Sequence, residues 1–574
     1  MVALFVVFTL AFGGMATRLM VVQVRDGRAY ARLAREVRER EIIFPAQRGA
    51  VYDRGGDPLA ISVDLETVYA DPTLIEDPAS TAEKLAGVLN LRAAEIVKRM
   101  QPTPSWSRYE VIARQLAPKV TRRIKALELV GIAFKTEPKR LYPNKRLASH
   151  VLGSVNNFDA AGAAGIELEY DGILRGDPGL MVLEEDPTGR ALPQTESTFE
   201  RPRPGRSLYL TIDKDLQHFT ELTLAATATQ YHAESATAIV MRPRTGEILA
   251  LDNVPDFDPN APGKSPAESW RNRALTDMYE PGSAYKIVTA SAALEEGVVT
   301  PRTTYVVPDA LPYADRVFND SHPHPTEKMT VTEIIRHSSN VGTIKIGLDL
   351  GGKKLDEYVR RFGFGARTGL DFPGESPGIV IDRESWSGTT IATIPMGQGI
   401  AVTPMQMAVA YSALANDGVS VEPKLLYATM DGRGKVRRAS VPATRRIVST
   451  RTARRMVRIL TGVVEEGTGI QAQIPGYLVA GKTGTAQKPL PTGGYGSSYV
   501  ASFAGFAPAR DPEVMTIVVL DNPSPIWGGL TAAPAFRTIT EFALRHLGVP
   551  PTGNAEKAAR EIEASVATQP PPRD

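Results

Sequence analysis

The sequence predicts a membrane-anchored α/β (α+β) protein built from an elongated mixed domain and a larger α/β core. Three observations predict it. An uncharged apolar run opens the chain, a stretch of turn residues flanking short β-type runs follows, and beyond RPRPGR near residue 205 strand and helix patterns alternate. A chain of 574 residues with 43% hydrophobic residues can bury two or more cores. Its 66 basic and 64 acidic residues nearly balance, so nothing in the charge calls for nucleic acid. The absence of cysteine excludes disulfides, thiolate nucleophiles and Cys-ligated metal, and the seven histidines show no H-E-x-x-H spacing. No metal or other cofactor is expected.

The elements follow in order. Met1 to Thr17 is uncharged, and LMVVQV continues to Val24 after Arg18. With Arg18 snorkelling, this supplies the roughly 20 apolar residues of a membrane span, longer than a signal peptide's apolar region. An anchor is expected over residues 1–24. Arg25, Arg28, Arg32, Arg35, Arg38 and Arg40 follow it, which by the positive-inside rule favours a cytoplasmic location for that side. A basic tail upstream of Met1 would restore the opposite orientation, with the bulk of the chain outside the cytoplasm. Tyr30 to Glu41 continues as a charged helical pattern, and PAQRGAVYDRGGDPLA then brings turns and short strands, giving a mixed domain over 25–205. SLYLTID reads as a strand leading into the helix DKDLQHFTELTLAAT. SATAIVMRP, turned by Arg244 to Glu247 into EILALDN, reads as a strand pair. A helix starts at Thr403 and Pro404, its cap and first position, and stops before Gly418. The core spans 206–549, and the tail 550–574, ending QPPPRD, lacks apolar residues to pack and is expected to be flexible.

The segment GYLVAGKTGTAQ (Gly476–Gln487) matches the phosphate-loop pattern G-x-x-x-x-G-K-[ST]. A phosphate loop needs a strand before the first glycine and a helix starting at the Lys-Thr pair. Here Pro475 and Gly476 turn the chain first, Tyr477 to Ala480 are β-formers, and Gly484 with Pro489 and Pro491 stop any helix. The segment reads as a strand. Gly484, between Thr483 and Thr485, removes a side chain where another backbone comes close, as at an edge strand that accepts a peptide. Lys482, Thr483 and Thr485 offer a cation and hydroxyls to a carboxylate.

Upstream, MYEPGSAYKIVTASAAL places Ser283 at the start of an apolar helix with Lys286 three residues on, so both side chains share one face. Burial and the positive end of the helix dipole both favour the neutral amine of Lys286, which can then take the Ser283 proton. Between the two elements lies TVTEIIRHSSNVGTIKIG, where Ser338 and Asn340 end a helical run and can point into one cleft. Each triplet alone also suits an ordinary cap or turn.

The ordered set S-x-x-K, S-x-N, K-T-G resembles the penicillin-binding protein and serine β-lactamase superfamily. RGAVYDRGGDPLA, RLYP, GIELEYDGILRGDPG, LTIDKDLQ, MRPRTGEILAL and GQGIAVTPMQMAVAYSALANDG extend the resemblance over most of the chain, to class B penicillin-binding proteins of the division-specific, FtsI-like type. The resemblance implies a serine β-lactamase/transpeptidase-like domain, with an antiparallel sheet flanked by helices, on an elongated pedestal. It implies that Ser283 attacks the penultimate D-alanyl carbonyl of a stem peptide, with Lys286 as base, Ser338 and Asn340 assisting, and Lys482, Thr483, Gly484 and Thr485 binding the terminal carboxylate of D-Ala-D-Ala or of a β-lactam. The backbone N–H groups of Ser283 and Thr485 would form the oxyanion hole. Where the family usually has Thr after the nucleophile, this chain has Ala284 followed by Tyr285. With no glycosyltransferase signature in the pedestal, the implied partners are a polytopic glycosyltransferase of the SEDS (FtsW-like) family and other division proteins. Two other readings use the same residues: an elongation- or sporulation-type transpeptidase, and a carboxypeptidase or β-lactamase-type hydrolase, although no E-x-x-x-N follows Ser338. A non-catalytic scaffold or β-lactam sensor is the reading from another class.

Overall fold

The computed structural model describes residues 1–28, 30, 39–101, 109–156, 160–185, 191–192, 198–490 and 492–552. Arg32, Arg35 and Arg38 of the basic run, and the expected flexible tail beyond residue 552, lie outside the described residues. The chain divides into two compact units. One comprises Met1–Gly49, Ser62–Lys139 and Gly172–Arg206; the other comprises Ala50–Ile61, Arg140–Asp171 and Ser207–Asp574.

In the first unit, α1 (Val2–Met20) continues through a π turn to Arg25, giving 24 helical residues, none of them buried. That is long and apolar enough to cross a bilayer. Its Thr9 and Thr17 hydroxyls donate to the Phe5 and Gly13 carbonyls one turn back, which satisfies them without water. Glu39–Phe44 forms a strand antiparallel to Gly179–Glu185, which pairs in turn with Thr198–Glu200. This corrects the helical expectation for Glu39 to Glu41. The local charge pattern suits a helix, but pairing with Val182 to Glu184, distant in sequence, satisfies the backbone there instead. A helix over Pro78–Leu89 is capped by the Asp77 side chain, starts on Pro78 and stops at Asn90 in the left-handed region. It buries Ala82 and Leu85 in a small core with Val68, Ile96, Ile112 and Ile124.

The second unit is built on a five-stranded antiparallel sheet of β1 (Ser235–Met241), β2 (Ile248–Val254), β3 (Ala480–Pro489), β4 (Tyr495–Ala507) and β5 (Val514–Asp521), in the order β2-β1-β5-β4-β3. The helices that matter here are α2 (Lys214–Gln230), α3 (Lys286–Glu295), α4 (Val331–Arg336), α5 (Asn340–Leu350), α6 (Pro404–Ala415), α7 (Thr450–Glu466) and α8 (Gly528–His546). Helices α2 and α8 share a core with one sheet face, through Leu216, Leu224, Phe536, Ile539, Ala501 and Phe503, and Phe219 stacks on Phe542 at 4.0 Å. Helix α6 is buried at every residue on the other side, with Thr403 and Gln406 forming the capping box that its sequence promises. Covered on both faces, β1 is buried along its whole length. This is a helix–sheet–helix sandwich.

The short motifs outside the S-x-x-K, S-x-N and K-T-G triplets fasten this unit together. Asp53 of VYDRGG accepts the backbone N–H groups of Gly55 and Asp57 (2.8 Å each) and of Lys214 (3.2 Å), so it caps the start of α2. Arg140 of RLYP and Glu167 of GIELEYDG form an ion pair at 2.7 Å with side chains 1% and 0% exposed, and the Tyr142 hydroxyl lies 3.4 Å from the same carboxylate oxygen. Such a pair contributes little net stability, but losing one partner strands the other charge.

Candidate active site

Pro281 and Gly282 (φ +52°) turn the chain into a short 3-10 segment, Gly282–Tyr285, that runs straight into α3. Ser283 is half-buried there, while Ala284, Tyr285, Ile287 and Val288 pack away from water. Lys286, the first residue of α3, is wholly buried. Its Nζ donates to Ser338 O (2.5 Å) and Asn340 Oδ1 (2.8 Å), with Ser338 Oγ at 3.4 Å. Among the described residues, no hydrogen bond joins Nζ to Ser283 Oγ. Burial lowers the Lys286 pKa to about 7, while the Asp320 carboxylate pulls it back upward.

Ser338 sits between α4 and α5 with φ +63°, a left-handed conformation that a serine adopts only at a cost of about 1–3 kcal/mol. This turn aims both the carbonyl and the hydroxyl of Ser338 at Lys286. Asn340 begins α5, and Ser339 caps it by accepting the Gly342 N–H at 2.9 Å. The S-x-N triplet is therefore the hinge between two helices rather than the end of one run.

The K-T-G-T segment lies in β3, the edge strand, with Lys482 opposite Ala504 and Thr485 opposite Ala501. No phosphate loop exists here. Lys482 is wholly buried, with Nζ donating to Thr483 Oγ1 (3.2 Å) and to Thr468 Oγ1 and Thr483 O (3.4 Å each). Burial holds its pKa well below the ordinary lysine value, and the positive charge of Lys286 adds to the effect. Thr485 Oγ1 accepts the Gly528 N–H at the start of α8 (3.1 Å), which leaves its own proton to donate.

Two glycines let the turn and the strand meet. A Cβ on Gly484 would lie 2.4 Å from Ser502 Oγ and 3.0 Å from Pro281 O; one on Gly282 would lie 3.0 Å from Thr485 O. The backbone that Gly484 admits is thus the protein's own turn before Ser283. Ser283, Ser338, Asn340, Thr468, Thr483 and Thr485 all line one cavity of about 870 Å³. Its size suits a peptide end. His322 stacks on Trp527 at 5.5 Å, and both line the same cavity with Tyr495.

The description "Penicillin binding protein transpeptidase domain" matches residues 236–541, and "Penicillin-binding Protein dimerisation domain" matches residues 43–210. The chain belongs to the penicillin-binding protein family. It is 33% identical to stage V sporulation protein D of Bacillus subtilis over 569 residues, covering 95% of this chain and 86% of that one. It is equally 33% identical to the peptidoglycan D,D-transpeptidase FtsI of Escherichia coli over 512 residues, covering 88% and 84%. Among solved structures, penicillin binding protein 3 of Mycobacterium tuberculosis, complexed with aztreonam, superposes with a TM-score of 0.70 at 30% identity, covering 89% of this chain and 98% of that one. The fold is that of the class B penicillin-binding proteins, as the resemblance implied.

Several residues of this penicillin-binding protein's cleft escape sequence reasoning. Thr468 bridges Lys482 and Thr483, its Oγ1 2.9 Å from Thr483 Oγ1. Glu280 accepts the Gly399 N–H (2.8 Å) and the Tyr495 hydroxyl (2.9 Å), tying the Pro281–Ser283 turn to two other segments. Asp320 approaches the S-x-N hinge from behind. The E-P-G-S spacing is the one local signal that could have drawn attention to Glu280; Thr468 and Asp320 arrive by tertiary packing. Among the described residues, no group of His, Asp and Glu is placed to hold a metal ion.

Proposed function

We propose that this penicillin-binding protein is a serine D,D-transpeptidase that cross-links peptidoglycan stem peptides during septal wall synthesis and is acylated by β-lactams. The observation that carries the reading is that Ser283, Ser338, Asn340 and the edge-strand residues Thr483 and Thr485 line one cavity, with Lys286, wholly buried and tuned to about 7, bonded to Ser338 and Asn340 just behind its wall, and Lys482 bonded to Thr483. Lys482, Thr483 and Thr485 would hold the terminal carboxylate, and Gly484 keeps that strand close enough to Ser283 to align the scissile carbonyl. Ser283 Oγ attacks the penultimate D-alanyl carbonyl as the neutral Lys286 amine receives its proton. The backbone N–H groups of Ser283 and Thr485 would stabilise the oxyanion, each donor typically worth about 10²–10³ in rate. The carbon–nitrogen bond to the terminal D-alanine then breaks, and its amine takes up the proton through Lys286 and Ser338. Asn340, with one Nδ2 proton still to give, would hold the acyl chain. An acceptor amine attacks the ester next, and Ser283 regains its proton.

Gels with a labelled penicillin test the acyl step. The wild type should carry a covalent label that Ser283→Ala lacks, and a wild type without label would sink the reading. A cross-linking assay with lipid-linked peptidoglycan separates transfer from the hydrolase alternative. The septal role draws on the similarity to FtsI, whereas similarity to the sporulation protein supports a sporulation-type role at equal identity. Midcell placement of a tagged copy decides between them. We assign residues 1–24 to the anchor, 25–205 to the pedestal, 206–549 to the transpeptidase domain and 550–574 to a tail. The bulk of the chain lies outside the cytoplasm, and glycan polymerisation falls to an FtsW-like SEDS partner.

A further inference from the structure

The S-x-N hinge is held from behind by two residues outside the three catalytic triplets. Asp320 follows a short strand (Arg316–Asn319), and its side chain is only 7% exposed. Its Oδ1 accepts the backbone N–H groups of Asn340 and of Val341 (3.0 Å), the first two amides of α5, while Oδ2 accepts the Ser339 hydroxyl at 2.7 Å. The first amides of a helix have no partner within it and carry partial positive charge, so a carboxylate there fixes where α5 begins. The neighbouring Asn319 acts on the same target. Its carbonyl accepts Asn340 Nδ2 at 3.0 Å, which turns Asn340 Oδ1 toward Lys286 Nζ. The opposite amide orientation would set donor against donor.

His324 completes the arrangement. Its Nε2 lies 3.0 Å from Asp320 Oδ2 and its Nδ1 lies 2.7 Å from Pro325 O. Both partners are acceptors. A neutral imidazole has a single N–H, so only the imidazolium makes both bonds.

We infer that Asp320 and protonated His324 are positioning residues for acylation, forming a latch that keeps Ser338 and Asn340 on Lys286 and loosens when His324 loses its proton. This rests on the transpeptidase reading of the site. The Pro325 carbonyl raises the His324 pKa from its ordinary value, burial opposes it, and the Asp320 carboxylate and the charge of Asp309 add to the rise. Lys286 is the other charge that faces Asp320. The signs then oppose each other. The latch is closed below the raised His324 value and opens as pH climbs through it, while the base form of Lys286 grows as pH climbs through about 7. Acylation should rise with Lys286 and fall with His324.

The test is the acylation rate of the full-length protein in detergent by a fluorescent penicillin, followed from about pH 5 to 10, for the wild type, His324→Gln and Asp320→Asn. In His324→Gln the alkaline fall should move or vanish while the rising limb stays, at a rate reduced about tenfold. In Asp320→Asn the rate should drop about 100-fold, and the rising limb should move to lower pH because the charge that favours protonated Lys286 is gone. A merely structural role would lower both profiles without moving either limb. Unchanged limbs in both variants overturn the latch, and if Asp320→Asn does not fold, the alkaline limb of His324→Gln decides alone. A wild type that takes no label overturns the transpeptidase reading and the latch with it.

Discussion

The floor of the cleft and its edge strand each bury one lysine completely, and the two surroundings differ in a way that suits the two tasks proposed for them, base and carboxylate anchor. On the floor, Lys286 has a full set of acceptors in Ser338 and Asn340, and Asp320 behind them. On the edge, Lys482 has two threonine hydroxyls and a carbonyl. Burial pushes both amines toward neutrality; at Lys286 the Asp320 carboxylate opposes it and the amine is poised at about 7, whereas at Lys482 the charge of Lys286 acts in the same direction as burial. A base needs a proton affinity near the working pH. An anchor for a carboxylate needs none of its own, because the ligand brings the opposite charge that recharges the amine.

The contrast can be broken, starting with the largest effect. Removing the nucleophile tests what both lysines serve: Ser283→Ala should abolish the covalent penicillin adduct seen by intact-protein mass spectrometry, and any remaining adduct would move the chemistry elsewhere. Lys286→Arg keeps a cation but cannot release its proton, so acylation should fall about 10³–10⁴-fold, and the wild type's rise with pH through about 7 should disappear. Lys482→Gln should cost about 10²-fold, and its loss should be selective: a penicillin methyl ester, which has no carboxylate, should react poorly with the wild type yet no worse with the variant. If replacing the acid by the ester slowed the variant as much as it slows the wild type, Lys482 would have no anchoring task. Gly484→Ala, whose new methyl would crowd Ser502 Oγ and Pro281 O, should slow acylation about tenfold by pushing the strand from the turn and destabilise the fold by about 1–3 kcal/mol, measured by thermal melting. Last, Glu167→Gln should lower stability by about 3–5 kcal/mol by removing the carboxylate charge that faces the buried Arg140, while leaving the acylation rate of the folded fraction unchanged.

The two sides of the cleft were unequally legible in the sequence. Ser283 and Lys286 are one helical turn apart, so spacing alone puts them on one face, and alternation along the strand puts Thr483 and Thr485 together on one face with Lys482 on the other. The capping of α6 by Thr403 and the turn between β1 and β2 are local for the same reason. Asp320 and Thr468 were not legible, because a residue that acts through a neighbour 20 or 15 positions away leaves no periodic trace. Glu39 to Glu41 misled for the converse reason: their local pattern is helical, and a partner strand about 140 residues away overrides it. Of the other quoted motifs, RLYP, GIELEYDGILRGDPG and RGAVYDRGGDPLA were legible as resemblance but not as physics; the Arg140–Glu167 pair and the Asp53 cap show what they hold.

The two glycines at the seam between the nucleophile turn and the edge strand restrict how this protein could evolve away from β-lactam drugs. A methyl group at Gly484 would crowd Ser502 Oγ and Pro281 O, and one at Gly282 would crowd Thr485 O, so a change at either position costs stability and acylation rate together. That penalty is absent at side chains such as His322, Tyr495 and Trp527, which line the same cavity and can change in bulk without pressing on the seam.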